Sequence, residues 1–422
     1  MKLSRRKFIG GSASVLATAS GLQMGFAQAA LPPGARGKTL VYLFLRGGID
    51  GLNLVIPRTG THRAEYEMKR PKIQVPVSGP GAMLNLNGQF GLHGSATGLK
   101  ALYDSGKLAI VHAVGMPEGT GSRSHFDSQE MYELGTPGDL STATGWLARH
   151  MISTPGLVTD AAIPSLSTGS SSPTSLLGDN TAMTLDDARY FHPNAGRYGN
   201  EHLDALAQIY AGTSSLDYAV QNSIDTINML EQIDLELPAF YPDTSLADDL
   251  GLVAGMLKMN VGLQVATVDF GGWDTHNGQG NDGGGYFAGR VEILSQAIEA
   301  FMNDLASHGL ENDVVLVVQS EFGRRVRENG NQGTDHGTAH PMLVIGGRVQ
   351  GGVVYGTFPG IADDDLYLNT DVRATTDFRE VLGDIVVNFM KNPNLDFVFP
   401  GYTGPISLGL TGGAELFGDG FE

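Results

Sequence analysis

Short, continuous apolar runs recur along the chain, and each is followed by a polar stretch that contains glycine. The runs occupy 40–45, 108–114, 263–268, 314–318 and 342–345. Runs without alternating polar positions are typical of strands that are buried on both faces, as in a parallel sheet covered by helices. The pattern therefore predicts five buried strands.

Helical periodicity appears between these runs. Apolar residues recur every three or four positions from Phe287 to Leu305, and Gly309 follows as a stop. The stretch 263–318 is thus predicted to form a strand–helix–strand unit with parallel strands and a right-handed connection. A late helix over 380–389 is predicted to cover the sheet. Together these elements predict an α/β fold with a central, mostly parallel sheet flanked by helices.

The middle of the chain has a different composition. Residues 164–178 are rich in Ser, Thr, Gly and Pro, which predicts a loop, and a helical stripe follows over 216–230. We predict that 38–400 forms the main α/β domain and that 151–250 is a partly helical insertion or cap over one edge of the sheet. Ordinary sheet-covering helices are an equally weighted alternative. Residues 401–422 are predicted to be a C-terminal tail, either a sorting tag or a frayed terminus.

The N-terminal segment has the pattern of a targeting signal. Ser4-Arg5-Arg6-Lys7-Phe8-Ile9 is a twin-arginine motif, a moderately apolar stretch follows, and Ala27-Gln28-Ala29 offers a small-residue cleavage site. We predict a signal peptide over 1–29 and a periplasmic or extracellular location, with surface association as one form of it. Gly, Ser and Thr dilute the apolar stretch too much for a permanent membrane span.

Charge and composition exclude several classes of partner and chemistry. The chain carries 27 basic and 45 acidic residues, a formal charge of −18, which repels the phosphate backbone of nucleic acids. It contains no cysteine, so disulfides, zinc–thiolate sites and a cysteine nucleophile are excluded. A small anionic ester or an envelope component remains as a partner.

Carboxylates and imidazoles follow several of the predicted strands. Open α/β sheets carry their chemistry at the carboxyl ends of the strands, and this combination of ligands suits divalent cations such as Zn²⁺ and Mn²⁺. For Asp50 the alternative is an Asp–Gly turn, and for His340 it is a structural role before the last strand. The candidate metal ligands are, in chain order, Asp50, Asp274, His276, Asp335, His336 and His340.

Two further residues are candidates for catalysis. Ser124 follows the second run and is a good N-cap, with Asp127 in the first turn of the predicted helix, where backbone amides favour an anion. A metal ion could activate its hydroxyl, whereas capping alone is the alternative. Ser122 and Thr120 are nearby alternatives as the nucleophile. Arg324 could bind an anionic ester through its planar guanidinium group, or pair with Glu321.

With these residues the chain resembles the exported bacterial family catalogued as domain of unknown function 1501. The resemblance runs from about 38 to 355 and rests on five motifs: Arg46-Gly47-Gly48-Ile49-Asp50-Gly51-Leu52-Asn53, Ser122-Arg123-Ser124-His125-Phe126-Asp127, Gly271-Gly272-Trp273-Asp274-Thr275-His276, Glu321-Phe322-Gly323-Arg324 and Thr334-Asp335-His336-Gly337. That family is similar to the alkaline phosphatase and sulfatase superfamily. The similarity implies a three-layer α/β sandwich with two metal ions beneath a Ser, Thr or formylglycine nucleophile.

The superfamily's order of functional residues can be carried over to this chain. It implies Asp50 as the early metal ligand, Ser124 as the nucleophile, and then Asp274 with His276, Asp335 with His336, and His340 as the final ligand. Two features depart from the superfamily pattern: the separation between Asp274 and His276, and the position of His340 along the chain. One ligand is therefore missing or comes from elsewhere. The formylglycine sulfatase signature is not found at a suitable position.

Two functions are consistent with these features. The first is an exported, metal-dependent hydrolase of phosphate or sulfate esters, with two divalent ions that the sequence does not distinguish among Zn, Mn, Mg and Ca. The second is a non-catalytic protein of envelope assembly, adhesion or scaffolding that retains part of a phosphatase-like metal site.

Overall fold

The computed structural model of the protein describes residues 37–157, 161–186, 199–230 and 237–411. The predicted signal peptide over 1–29 and the end of the predicted tail, 412–422, lie outside the described residues. Among the described residues, no helix is both long enough and apolar enough to cross a membrane.

Twelve strands occur in the described residues. They are β1 (Thr39–Leu45), β2 (Val55–Pro57), β3 (Leu84–Asn85), β4 (Phe90–Leu92), β5 (Leu108–Gly115), β6 (Ser165–Ser167), β7 (Ala182–Thr184), β8 (Val265–Phe270), β9 (Val314–Ser320), β10 (His340–Gly346), β11 (Val353–Tyr355) and β12 (Thr376–Asp377).

The α-helices of the described residues are α1 (Gly51–Leu54), α2 (Gly60–Lys69), α3 (Thr97–Asp104), α4 (His125–Leu134), α5 (Trp146–Ser153), α6 (Gly199–Ile209), α7 (Ser215–Leu230), α8 (Ser245–Met259), α9 (Tyr286–Ser307), α10 (Phe378–Asp384) and α11 (Leu395–Val398). A π-helical stretch, Ile385–Phe389, continues α10.

The main sheet has the order β11-β5-β10-β9-β1-β8-β6-β7, and β12 pairs with β5. β10 runs antiparallel to both of its neighbours, and the other pairings in this sheet are parallel. β2, β4 and β3 form a separate small antiparallel sheet. The predicted central, mostly parallel sheet flanked by helices is confirmed. The apolar run 342–345 could not show that its strand is antiparallel, because direction depends on the partner strand.

The alternating side chains of β1 explain why helices cover both faces of the sheet. Val41, Leu43 and Leu45 belong to one buried cluster, which also contains residues of α3, α8 and α9. Leu40, Tyr42 and Phe44 belong to another, which contains residues of α4, α5 and α10. Because successive side chains of a strand point to opposite faces, an uninterrupted apolar run needs an apolar layer on each side.

The predicted strand–helix–strand unit is present as β8, α9 and β9. Both strands run parallel to β1, which lies between them. The apolar face of α9 is buried, including Phe287, Val291 and Leu305.

The stretch 151–250 contributes to more than one part of the molecule. β6 and β7 extend the main sheet beyond β8, although 164–178 is predicted to be a loop, because a short polar strand such as Ser165–Ser167 has no periodic signal. α6 and α7 pack against each other in a small cluster of their own. α8 packs against α9 of the main core. The domain boundaries, and the insertion or cap role of 151–250, remain predictions.

Candidate metal centre

The candidate site lies at one edge of the main sheet. Parallel strands β5, β8 and β9 end at this edge, and β10 begins there because it runs in the opposite direction. The loops that follow β5, β8 and β9 therefore meet, although they are far apart in the sequence. They carry His125, Asp274, His276, Asp335 and His336.

Two glycines allow the loops to approach each other closely. A Cβ atom on Gly47 would lie 2.4 Å from the backbone nitrogen of Asp274, and Gly47 has a φ of +122°. A Cβ atom on Gly333 would lie 2.4 Å from the backbone of His276. A side chain at either position would push the loops apart.

Three imidazoles and one carboxylate converge at this edge. The Nε2 atoms of His276 and His336 are 2.9 Å apart. Asp274 Oδ1 lies 3.1 Å from His276 Nε2 and 3.3 Å from His336 Nε2. Asp274 Oδ2 lies 3.5 Å from Nε2 of His125. We call these four residues the His/Asp cluster. Three of them, His125, Asp274 and His336, each offer a ligand atom within 4.8 Å of the others, so these three could hold a metal ion.

The second ring nitrogen of each histidine is held by an acceptor. Nδ1 of His125 is 2.7 Å from Glu321 Oε1, and Nδ1 of His276 is 3.2 Å from Asp335 Oδ1. Nδ1 of His336 is 2.8 Å from the carbonyl oxygen of Arg123. Because ionised carboxylates and carbonyls only accept hydrogen bonds, each Nδ1 is assigned the proton. The lone pair of each neutral ring is then on Nε2, inside the cluster.

This assignment has an electrostatic consequence. When both rings are neutral, the Nε2 lone pairs of His276 and His336 face each other at 2.9 Å and repel. A cation removes this repulsion, and so does a proton on either Nε2, which Asp274 Oδ1 can accept at 3.1 or 3.3 Å. Nε2 of His125 is buried and has no hydrogen-bond partner among the described residues. Metal-binding histidines usually show this arrangement, with Nδ1–H donated to a carboxylate or carbonyl and Nε2 directed at the ion.

The carboxylates around the cluster are held in their ionised form. Burial opposes ionisation of Glu321, but hydrogen bonds from His125 and backbone amides outweigh it and lower its pKa. Burial likewise opposes ionisation of Asp274, and the hydrogen bond and charge of Arg324 bring its pKa below the usual value. The hydrogen bond from Asn329 lowers the pKa of Asp335. The cluster is therefore rich in negative charge and lone pairs.

The imidazoles differ from one another. The hydrogen bond to Glu321 raises the pKa of His125, whereas burial lowers the pKa of His336. The ring of Phe322 packs beside both, with centroids 4.9 Å and 4.7 Å from theirs.

Asp50, a predicted metal ligand, lies outside the His/Asp cluster. It is fully buried, and its two oxygens accept hydrogen bonds of 2.8 and 2.6 Å from Nη1 of Arg70, which is also fully buried. Gln279 Nε2 donates a third bond of 2.5 Å to Asp50. The Asp50 carboxylate is thus neutralised by a guanidinium group.

A buried glutamine connects Asp50 to the loops of the His/Asp cluster. Gln279 Oε1 accepts hydrogen bonds from Thr275 Oγ1 at 2.9 Å and Thr334 Oγ1 at 3.2 Å. Thr275 lies between Asp274 and His276 in the sequence, and Thr334 directly precedes Asp335. Gln279 therefore fixes the two loops relative to each other.

His340 also lies outside the cluster. Its Nε2 accepts a hydrogen bond of 3.0 Å from the backbone of Ser320, and its Nδ1 is 3.1 Å from the carbonyl oxygen of Val114. Burial lowers its pKa to about 4, so the ring is neutral at physiological pH. His340 connects the start of β10 to β9 and β5. This is the structural role that was the alternative to metal binding for this residue.

Arg324 is buried beneath the site. Its Nε donates to the carbonyl oxygen of Gly48 at 2.6 Å and its Nη1 to that of Thr334 at 2.8 Å. Its Nη2 donates to Asp274 Oδ1 at 2.6 Å. These bonds hold Asp274 in the cluster. The guanidinium group of Arg324 therefore points toward protein oxygens and not toward solvent.

Ser124 is the N-cap of α4, which is the role given above as the alternative to catalysis. Its Oγ accepts a hydrogen bond of 3.5 Å from the backbone nitrogen of Asp127 and so caps the helix. Ser122 Oγ accepts a bond of 3.0 Å from the backbone nitrogen of Ser124. Ser124 is only partly buried and directly precedes His125 of the cluster.

Sequence reasoning did not assign roles to His125 and Glu321 in this site. The available signal was position, because His125 follows the N-cap after β5 and Glu321 follows the end of β9. His125 supplies an imidazole from outside the expected ligand set.

A family model described as a protein of unknown function (DUF1501) matches residues 122–385, more than half of the chain. The matched stretch includes the whole His/Asp cluster. A search of curated proteins finds no match.

Proposed function

We propose that this chain, which belongs to the DUF1501 family of proteins of unknown function, is an exported, metal-dependent hydrolase of phosphate or sulfate esters. The observation that carries the proposal is the convergence of three imidazole Nε2 atoms on the carboxylate of Asp274, with every Nδ1 held by an acceptor. Export is supported by the twin-arginine motif in 1–29.

The residues present fit one divalent cation. His125, Asp274 and His336 would hold it, and His276, whose Nε2 is 2.9 Å from that of His336, would complete the set. Three imidazoles with one carboxylate suit Zn²⁺ and related transition metals better than Mg²⁺ or Ca²⁺. Because Asp50 and His340 are engaged elsewhere, we propose one ion in place of the two expected from the superfamily. When bound, such an ion polarises a phosphoryl or sulfuryl oxygen and stabilises the charge that develops on it.

The surrounding side chains keep the ligands oriented. Glu321 and Asp335 each hold the Nδ1–H of one imidazole, and Arg324 holds the Asp274 carboxylate. Supports of this kind raise ligand basicity and reduce the reorganisation needed on binding.

We propose Ser124 as the nucleophile. Its Oγ forms a bond to phosphorus or sulfur, the bond to the ester oxygen breaks, and the organic group leaves as an alcohol that takes up the serine proton. Water then cleaves the serine ester, restores the hydroxyl group and releases phosphate or sulfate. The position of Ser124 supports this role, since it starts α4 beside His125 and the helix N-terminus favours an anion.

The alkaline phosphatase-like character of the fold is part of the same proposal. It is supported by helices on both faces of a mostly parallel sheet and by a site at the carboxyl ends of its strands.

Metal content tests the first half of the proposal. The full chain and its His336→Ala and Asp274→Ala variants would be purified, supplied with Zn²⁺ or Mn²⁺, desalted and examined by mass spectrometry. We expect about one equivalent in the unchanged chain and a loss in both variants. His308→Ala is the matched control, because His308 lies at the end of α9 outside the cluster. Equal metal in all four proteins would refute the site.

Ester turnover tests the second half. Phosphate and sulfate monoesters would be supplied to the loaded protein and to Ser124→Ala, whose metal content should be unchanged. Turnover that Ser124→Ala lacks supports the serine mechanism. Stoichiometric metal without turnover of any ester would favour the non-catalytic envelope role.

A further inference from the structure

A pocket lies beside the His/Asp cluster at the same edge of the sheet. Its volume is about 310 Å³, and it opens between the turn after β5 and the segment 367–374. We call it the Met116 pocket. Its size is at the lower end for small-molecule sites, which usually measure about 300–1,000 Å³.

The Met116 pocket and the cluster share a wall. Glu321 lines the pocket and holds the Nδ1 of His125. Phe322 lines it as well, and its ring packs against those of His125 and His336. Arg123 lines it, while its carbonyl oxygen holds Nδ1 of His336. A group in the pocket is thus separated from the ligand imidazoles by a single layer of side chains.

The charged side chains of the pocket already have partners. Arg123 pairs with the buried Asp371 at 2.5 Å, Glu118 pairs with Arg373, and Glu321 accepts from His125. None of these three groups is left to neutralise a second charge on a ligand. A charged substituent entering the pocket would lose hydration and would have to share its counter-charge with one of these existing pairs.

Apolar groups form much of the remaining lining. Met116, Tyr132, Phe322 and Ala374 contribute to it, and Leu368 lies at its edge. Leu368 is 63% exposed and has a φ of +50°, in the left-handed region. A leucine held exposed in this conformation costs about 1–2 kcal/mol in backbone energy, and such outliers cluster at ligand sites.

We propose that the Met116 pocket binds the organic group of the substrate, and that this group is uncharged and apolar, such as an aromatic ring. The inference rests on the proposed function, because the anionic end of the same ester would lie at the His/Asp cluster. It adds the substrate class, an aryl or similarly apolar monoester in preference to a small or polar one.

Gly121 provides a way to fill the pocket. It lines the Met116 pocket, and a Cβ atom there would meet Met116 only at ordinary contact distances of 3.6 and 3.8 Å. Gly121→Leu should therefore occupy the space without displacing backbone. Leu368→Ser is a second variant at an exposed position. Gly289→Leu is the matched control, because a Cβ atom there would meet no described residue within 4 Å beyond its own helix and chain neighbours, and the residue lies in α9.

The binding of two non-hydrolysable probes, phenylphosphonate and methylphosphonate, would be measured by titration calorimetry on zinc-loaded full chain. We expect phenylphosphonate to bind about 10- to 100-fold more tightly, as burial of an aromatic ring predicts. Gly121→Leu should reduce this ratio to about threefold or less, and Leu368→Ser should lower it, whereas Gly289→Leu should keep it. The zinc content of each variant shows that it has folded.

Two failures can be told apart. Equal affinity for the two phosphonates, or a preference that Gly121→Leu leaves intact, overturns the pocket assignment alone. Binding of neither probe to zinc-loaded protein overturns the proposed function and the pocket assignment with it.

Discussion

The buried pair of Asp50 and Arg70 allows a test that separates a structural carboxylate from a metal ligand. Both side chains are fully buried, and Arg70 also donates to Asn53 and to the carbonyl oxygens of Val326 and Arg325. In Asp50→Ala the guanidinium group stays in place without its counter-charge. Breaking such a pair costs about 3–5 kcal/mol. The loss of the Gln279 bond to Asp50 favours the upper part of this range.

Urea denaturation in the presence of a chelator measures this cost without a contribution from metal binding. We expect Asp50→Ala to lower the free energy of unfolding by about 3–5 kcal/mol, and Asp50→Ala with Arg70→Leu to recover part of it, since both charges are then absent. Under native conditions Asp50→Ala should still bind about one equivalent of Zn²⁺, because Asp50 lies outside the cluster. An unchanged free energy of unfolding together with loss of the metal would refute this reasoning and return Asp50 to the ligand set.

Three further predictions concern other buried or half-buried polar groups. Gln279→Leu should weaken Zn²⁺ binding about 10- to 100-fold in a chelator competition. Gln319→Leu, which replaces another buried glutamine, should not weaken it. Equal effects of the two substitutions would refute a specific role of Gln279. Burial lowers the pKa of His112 to about 4, so the unfolded chain takes up a proton below about pH 6.5 that the folded state binds only near pH 4. His112 therefore contributes up to about 3 kcal/mol to the free energy of unfolding above pH 6.5, and this contribution is lost toward pH 4. In urea titrations, His112→Leu should reduce the loss of stability between these two pH values. Burial raises the pKa of Asp249 to about 7, so its protonated form is favoured in the fold, and stability declines as pH rises from about 4 to about 7 and then levels off. Asp249→Asn should therefore raise Tm at pH 8 and have little effect at pH 4, and an equal shift at both would contradict the cause.

The central strands could be located from the sequence because burial on both faces leaves an uninterrupted apolar run. β1, β8 and β9 each contain such a run, and the common direction of β8 and β9 was predicted from the helix between them. β10 has the same kind of run yet is antiparallel, because apolarity carries no information about direction. β6 was not predicted, because its three residues include two serines and are positioned by pairing with β8.

The site could be predicted in part. Asp274, His276 and His336 follow from polar residues at strand ends, a rule that depends only on topology. Asp50 satisfies the same rule but pairs with Arg70, twenty residues later in the sequence, and no local pattern links the two. His125 was harder to assign because a residue after a helix N-cap has no signature of its own. Contacts between loops depend on tertiary packing, which a single sequence does not specify.

The separation of the ligand loops along the chain bears on when the proposed ion can enter. His125 follows β5, Asp274 follows β8 and His336 precedes β10, so β5, β8, β9 and β10 must all be in place before the four ligands meet. A nascent chain that has made only the first of these loops offers one imidazole and no site. If the His/Asp cluster binds an ion, uptake would be a late step of maturation, and the compartment in which the sheet assembles would determine which divalent ion is available to it.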